Sequence, residues 1–149
     1  MIEIIKKYFY SRPNPEEKIY KISQKYKNEI ESIIDYSREY LIDFFGYRTL
    51  KNSYFIKLYH NDTMIPIETA QHMYMRVALT IYTNTDSIDF ESVKKTYDYL
   101  SLKYYTHATP TLYNAGTNRQ QLFSCFILNI ADSVDGIFKA VKDCASISK

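Results

Sequence analysis

Cys125 sits in Gln121-Leu122-Phe123-Ser124-Cys125-Phe126-Ile127-Leu128, a thiol beside a hydroxyl just after a polar loop, a place where site residues are exposed and a thiol can be reactive. The only other cysteine is Cys144. With no His or Cys at ligand spacing, the two form neither a zinc site nor a disulfide framework. Thr109 is a second hydroxyl flanking the loop Asn114-Ala115-Gly116-Thr117-Asn118, and His107 is a candidate base beside it. Asp132-Ser133 stands where a helix begins, a position that caps and also suits phosphate or ribose groups. Each has a bland alternative. Free cysteine packs well in cores, a lone histidine is commonly a structural hydrogen-bonding group, and Thr, Ser and Asp are ordinary turn and cap residues. Cys144, three after Val141 and seven after Ile137, reads as core on the apolar face of its helix.

The elements that must position these residues are mostly helical. Asn14-Pro15-Glu16-Glu17 is a helix start, followed by Ile19, Ile22, Tyr26, Ile30 and Ile33 at helical spacing. A second helix is expected over 36–45, stopped by Gly46. The aromatic and β-branched residues of 53–67, around the polar tip His60-Asn61-Asp62, predict a β-hairpin. Helical period returns over 69–82 (Met73, Val77, Ile81) and over 89–105 (Phe90, Val93, Tyr97, Leu100, Tyr104), the latter capped by Asp89. Thr109-Pro110 reads as a helix breaker. The apolar run 122–130 predicts a strand buried on both faces, and Asp132-Ser133 opens a last helix with Val134, Ile137, Phe138, Val141 and Ala145 on one face. In regular alternation Ser124 and Cys125 would face opposite ways.

Composition excludes several classes. A 46% apolar chain of 149 residues encloses a core and is not disordered. Nineteen basic against seventeen acidic side chains, interspersed, leave +2 and no nucleic-acid footprint. The N-terminus lacks a signal-peptide pattern and no run is long enough for a membrane span, so the expectation is a cytoplasmic protein with no membrane partner.

Several segments, taken in order, carry a resemblance: FFGYRTLKNSYFIK, AQHMYMRVAL, YYTHATPTLYNAGT, QLFSCFIL and DSVDGIFKAVKDCASISK. Together they resemble the N-terminal portion of the large, catalytic subunit of class I ribonucleotide reductases, in the eukaryotic and viral branch, from about Ile33 to Lys149. The resemblance implies a mainly α N-terminal domain with a small β-hairpin, followed by the first β-strand and helix of an incomplete ten-stranded α/β barrel. The implied division is 1–32 as a variable helical segment without an ATP-cone, 33–121 as the helical domain and 122–149 as the start of the catalytic barrel.

The resemblance also implies chemistry: reduction of ribonucleoside diphosphates by a thiyl radical and a dithiol. Cys125 matches one of the two reducing cysteines, Thr109 and Ser124 match substrate contacts, and Asp132, Ser133 and Val134 match the segment that reads the specificity effector. No cofactor is expected in the chain itself. A dNTP or ATP effector with magnesium, and a di-metal radical cofactor in a small subunit, are implied by the family. So are a small subunit, a large-subunit dimer, thioredoxin or glutaredoxin, and a chain carrying the remaining large-subunit sequence. Phe123 and Gln120 depart from the family's usual small residue and proline, and the loop ahead of Asp132 is one residue short. Because the radical cysteine and second reducing cysteine are not among these residues, the 149 residues are expected to be inactive alone. A non-catalytic partner- or nucleotide-binding module, or a decayed remnant, are the competing readings.

Overall fold

The computed structural model describes residues 17–60, 63–84, 87–117 and 120–149. The Asn14 cap, the hairpin tip Asn61-Asp62 and Asn118 of the loop lie outside them. The described elements are α1 (Glu17–Lys25), α2 (Lys27–Ile33), a 3₁₀ turn (Tyr36–Leu41), α3 (Phe44–Thr49), a π turn (Leu50–Tyr54), strands β1 (Lys57–His60) and β2 (Thr63–Pro66), then α4 (Ala70–Tyr82), α5 (Phe90–Ser101), α6 (Thr109–Asn114) and α7 (Val134–Ser148).

Helix α4 is the centre of the molecule. Ala70, Met73, Tyr74, Val77 and Ala78 form its main stripe, and Gln71, Met75 and Leu79 bury a second side. A helix apolar nearly all round has to be enclosed on several sides. It packs on Val93, Tyr97 and Leu100 of α5, on Ile30 and Ile34 from α2 and its end, and on Phe55, Leu112 and Ala115. Each large apolar side chain so buried contributes about 1.5–3 kcal/mol.

Both ends of α5 are defined by hydrogen bonds. Asp89 accepts from the Ser92 amide at 3.1 Å, and the Ser92 hydroxyl together with that amide holds the Asp89 carboxyl below the usual carboxylate range. At the other end Lys103 takes a left-handed φ of 66°, the Tyr104 amide donates to Tyr99 O at 2.9 Å and the Lys103 amide to Leu100 O at 3.1 Å. That paired closure explains why the helix stops at Ser101 and not at Tyr105.

The hairpin forms as expected, with Lys57 opposite Pro66 and His60 opposite Thr63 in antiparallel register. Besides the early end of α5, four expectations fail, each for a local reason. Gly46 does not stop a helix: Asp43 accepts from the Gly46 amide at 2.7 Å and starts α3 there, so 36–45 is a 3₁₀ turn, a break and a new helix. Thr109-Pro110 begins α6 instead of only breaking its predecessor, since proline is favoured in a first turn where its missing N–H costs nothing. The run 122–130 is not a strand; it is irregular and largely exposed, with Ile127 98% accessible, because no other described segment pairs with its backbone. Cys144 is exposed, not core: of α7's residues only Ala140 is buried, and Val134, Ile137, Phe138 and Val141 face outward too.

A histidine guards the start of α4. The Thr69 amide donates to His72 Nδ1 at 3.4 Å, so Nδ1 is unprotonated and the proton sits on Nε2. Nε2 then donates to Tyr36 Oη at 3.1 Å, and Tyr36 donates to Glu31 Oε1 at 2.5 Å. Burial pushes the His72 pKa below its ordinary value, and burial together with the Glu31 bond raises that of Tyr36. With the folded pKa depressed, the unfolded chain binds the extra proton first, so this stability is complete above about pH 6.5 and is lost as pH falls toward the folded pKa. Urea midpoints measured from pH 7.5 to 5 are expected to fall more steeply for the wild type than for His72→Gln. Parallel curves would remove His72 from the account.

Candidate active site

Of the residues singled out for chemistry, Thr109 opens α6, a helix of six residues, and Ser124 and Cys125 follow a segment bonded to it; α6 is itself held at both ends. At its start the Thr109 hydroxyl lies 3.0 Å from Tyr54 Oη, at the end of the π turn. At its far end Arg76 of α4 donates from Nη1 to Ala115 O at 2.5 Å and from Nη2 to Leu112 O at 3.1 Å, satisfying carbonyls that the helix leaves open. Glu68 orients that guanidinium through two bonds, Nε to Oε2 at 3.0 Å and Nη2 to Oε1 at 2.7 Å. Glu68 Oε1 also accepts the Ile56 amide at 2.9 Å, tying the pair to the start of the hairpin.

From α6 the order passes forward along the chain. Thr111 Oγ1 donates to Leu122 O at 3.1 Å and Asn114 Nδ2 to Gln121 O at 2.8 Å. Those two bonds fix the chain two and three residues ahead of Ser124, which Cys125 follows. Both of these are exposed, with Ser124 Oγ 3.8 Å from Cys125 Sγ. Regular alternation would have put them on opposite faces; the irregular backbone lets hydroxyl and thiol share a side. The exposed thiol is thus available for chemistry and contributes nothing to the core. Phe123, beside them, is exposed as well.

Gly116 closes the loop with φ +74°, and a Cβ there would lie 3.0 Å from Arg76 Cγ and 3.2 Å from Thr80 Oγ1. Both the left-handed backbone and the close approach require glycine. Gly116→Ala is expected to cost about 1–2 kcal/mol from the backbone alone, read as a lower urea midpoint with unchanged slope. An unchanged midpoint would show that residue 116 does not need the left-handed backbone.

His107 stands apart from the thiol in its interactions. Its Nε2 lies 3.5 Å from Tyr105 Oη, and burial lowers its pKa. Asp132, Ser133 and Val134 form a separate place at the start of α7: the Ser133 hydroxyl caps the helix by accepting from Gly136 N at 3.0 Å, while Asp132 is exposed. The structure therefore connects α6, which begins at Thr109, to the chain ahead of the neighbouring Ser124 and Cys125, and among the described residues gives Asp132, Ser133 and Val134 no bond to that group. No group of three or more metal-ligating side chains is gathered among the described residues.

Residues 40–120 match the family described as "Ribonucleotide reductase, all-alpha domain". The chain belongs to this family. It is 45% identical over 133 residues to the ribonucleoside-diphosphate reductase large subunit of Acanthamoeba polyphaga mimivirus, covering 89% of this chain and 14% of the relative. It is 46% identical over 129 residues to that of Vaccinia virus (strain Copenhagen), covering 86% and 16%. To the large chain of Schizosaccharomyces pombe it is 44% identical over 138 residues, covering 92% and 16%. The chain thus spans about one sixth of the length of these reductase subunits, and it corresponds to their N-terminal region. The match to the all-alpha domain takes in Arg76, Thr109 and Gly116, and the longer alignments include Cys125 whichever end they leave out.

Arg76 and Glu68 escaped the sequence reading, yet a signal was present. Arg76 is the only residue of AQHMYMRVALTIY with a permanent charge, and a cation on a helix buried nearly all round needs a fixed counter-charge.

Proposed function

We propose that residues 1–149 supply the N-terminal helical domain and one reducing thiol of a ribonucleoside-diphosphate reductase large subunit. The observation that carries this is the coincidence of two facts: the aligned span includes Cys125, and the structure holds that exposed thiol beside Ser124 on a segment anchored to α6. In the proposed reaction a thiyl radical takes the substrate's 3′ hydrogen. The 2′ hydroxyl is protonated and leaves as water, two thiols become a disulfide, and the 3′ hydrogen is returned. Cys125 is one of those thiols: its proton assists the leaving hydroxyl, and its sulfur ends in a disulfide that a C-terminal dithiol of the large subunit reduces, itself reset by thioredoxin or glutaredoxin. The hydroxyls of Thr109 and Ser124 hold the diphosphate and ribose.

On this reading a small subunit with a di-metal cofactor would supply the radical, and another large-subunit cysteine would supply the second reducing thiol. At the start of α7 the exposed Asp132 carboxylate suits a ribose hydroxyl or a magnesium-bound phosphate of a nucleotide effector, with Ser133 and Val134 completing the turn. The outward apolar residues Ile137, Phe138 and Val141 support packing of α7 in a large-subunit dimer. No described helix is long and apolar enough to cross a membrane, and a cytoplasmic setting fits the free thiols.

Residues 1–149, mixed with a large-subunit fragment that lacks the corresponding region and with the small subunit, are expected to restore CDP reduction, whereas alone they should give none. Binding of the fragment without turnover would favour a non-catalytic module. Failure to bind it at all would favour a remnant.

A further inference from the structure

Arg76 touches neither the thiol nor the hydroxyls, yet the chain of bonds to both passes through α6, which it holds. Its side chain is 12% exposed and that of Glu68 is 7% exposed, so the pair is shielded from solvent and from salt. All of its partners belong to different pieces of the fold: Ile56 ahead of β1, Leu112 within α6 and Ala115 just after it. An ion pair kept only for stability could bond to any nearby groups. This one spends its remaining donors on the two carbonyls at the end of the helix that carries Thr109, Thr111 and Asn114.

We propose that Arg76, oriented by Glu68, is a positioning residue that sets the C-terminal end of α6, and through Thr111 and Asn114 the place of the Cys125 thiol. The inference rests on the functional reading above for its link to turnover. The two ends of α6 have separate anchors, so they have separable effects. Tyr54 holds the Thr109 end, where the diphosphate binds; Arg76 holds the end from which the thiol segment departs. A lysine at 76 keeps the charge, but one ammonium cannot reproduce the flat fork that meets two carboxylate oxygens and two carbonyls.

The test has two arms. In residues 1–149 alone, Arg76→Lys is expected to speed amide exchange at Leu112, Ala115 and Thr117 by about tenfold or more, while Val93, Tyr97 and Leu100 of α5 keep their protection. In the assembled reductase the same variant should lower kcat for CDP by about tenfold with little change in KM, since small displacements of a reacting group are costly. Tyr54→Phe should do the reverse and raise KM. Glu68→Gln, which keeps an acceptor for the Ile56 amide but loses the charge, should follow Arg76→Lys more weakly. Equal acceleration in α5 would overturn the proposal by making the pair a general stabiliser, as would unchanged α6 exchange or an equal rise in KM. No turnover from the wild-type assembly would sink the functional reading instead, and the exchange arm would still decide whether Arg76 sets α6.

Discussion

A reductase assembled with Cys125→Ser is expected to bind ribonucleoside diphosphate nearly as well as the wild type and to form essentially no deoxy product. The hydroxyl is close in size to the thiol and leaves Thr111, Asn114 and Arg76 in place, so the anchoring of 121–122 is untouched. What it lacks is chemistry. Serine is a much weaker acid than cysteine and cannot enter a disulfide, so in the proposed mechanism it would supply neither the proton for the departing hydroxyl nor half of the reducing pair. Loss of an acid alone lowers rates by about 10²–10⁴-fold, and without the dithiol no full turnover can close. Substrate binding by calorimetry together with product formation by chromatography checks this. Product at more than a small fraction of the wild-type yield would take Cys125 out of the mechanism.

The second large effect falls on the helical core. Tyr97 is fully buried, its hydroxyl donating to Gln71 Oε1 at 2.8 Å and accepting from the Asp35 amide at 2.9 Å. Around it Arg38 lies 5.5 Å over the ring and donates to Asp98 and to Ser101, each at 2.7 Å. Burial would push the Asp98 carboxyl up, but the bonds from Lys94 and Arg38 outweigh it and hold it below the ordinary range. Tyr97→Phe keeps the ring and the packing while leaving a buried carbonyl oxygen and the Asp35 amide without their partner. At about 1–3 kcal/mol for each unsatisfied buried group, a loss of about 2–4 kcal/mol is expected, read from urea unfolding. A loss below about 0.5 kcal/mol would mean that these groups find other partners.

Much of this architecture is legible in the sequence where a pattern and its burial coincide. The stripe Met73, Val77 and the Asp89 cap specify α4 and α5 because the period, the cap and the core all agree. The hairpin follows from β-branched residues around a polar tip. Reading fails where two local signals compete: Gly46 is a stop by itself, but Asp43 three residues earlier turns the same amide into a capped first turn. It fails differently at 122–130, where the apolar pattern describes what a strand would do with neighbours that the described residues do not provide.

The candidate site is legible by residue type but not by geometry. Loop, hydroxyls and thiol stand out in YYTHATPTLYNAGT and QLFSCFIL. That α6 links them depends on Arg76 and Glu68, eight residues apart and reaching carbonyls nearly forty residues ahead, a relation no local pattern contains. The exposure of Cys144 has a similar cause, since the spacing of Val134, Ile137 and Val141 defines an apolar face but not whether anything covers it, and among the described residues only Ala140 of that helix is buried.

The central claim, that Cys125 is one half of a reducing pair, is tested most directly by its oxidation state after one turnover. The assembled enzyme is reduced, freed of external reductant, given CDP and small subunit, then alkylated and digested. The expected result is a disulfide-linked peptide joining Cys125 to a cysteine outside residues 1–149, in proportion to dCDP formed, with Cys144 still alkylated. Formation of dCDP with Cys125 fully alkylated, in an assembly whose C-terminal dithiol has been replaced by serines, would contradict the account.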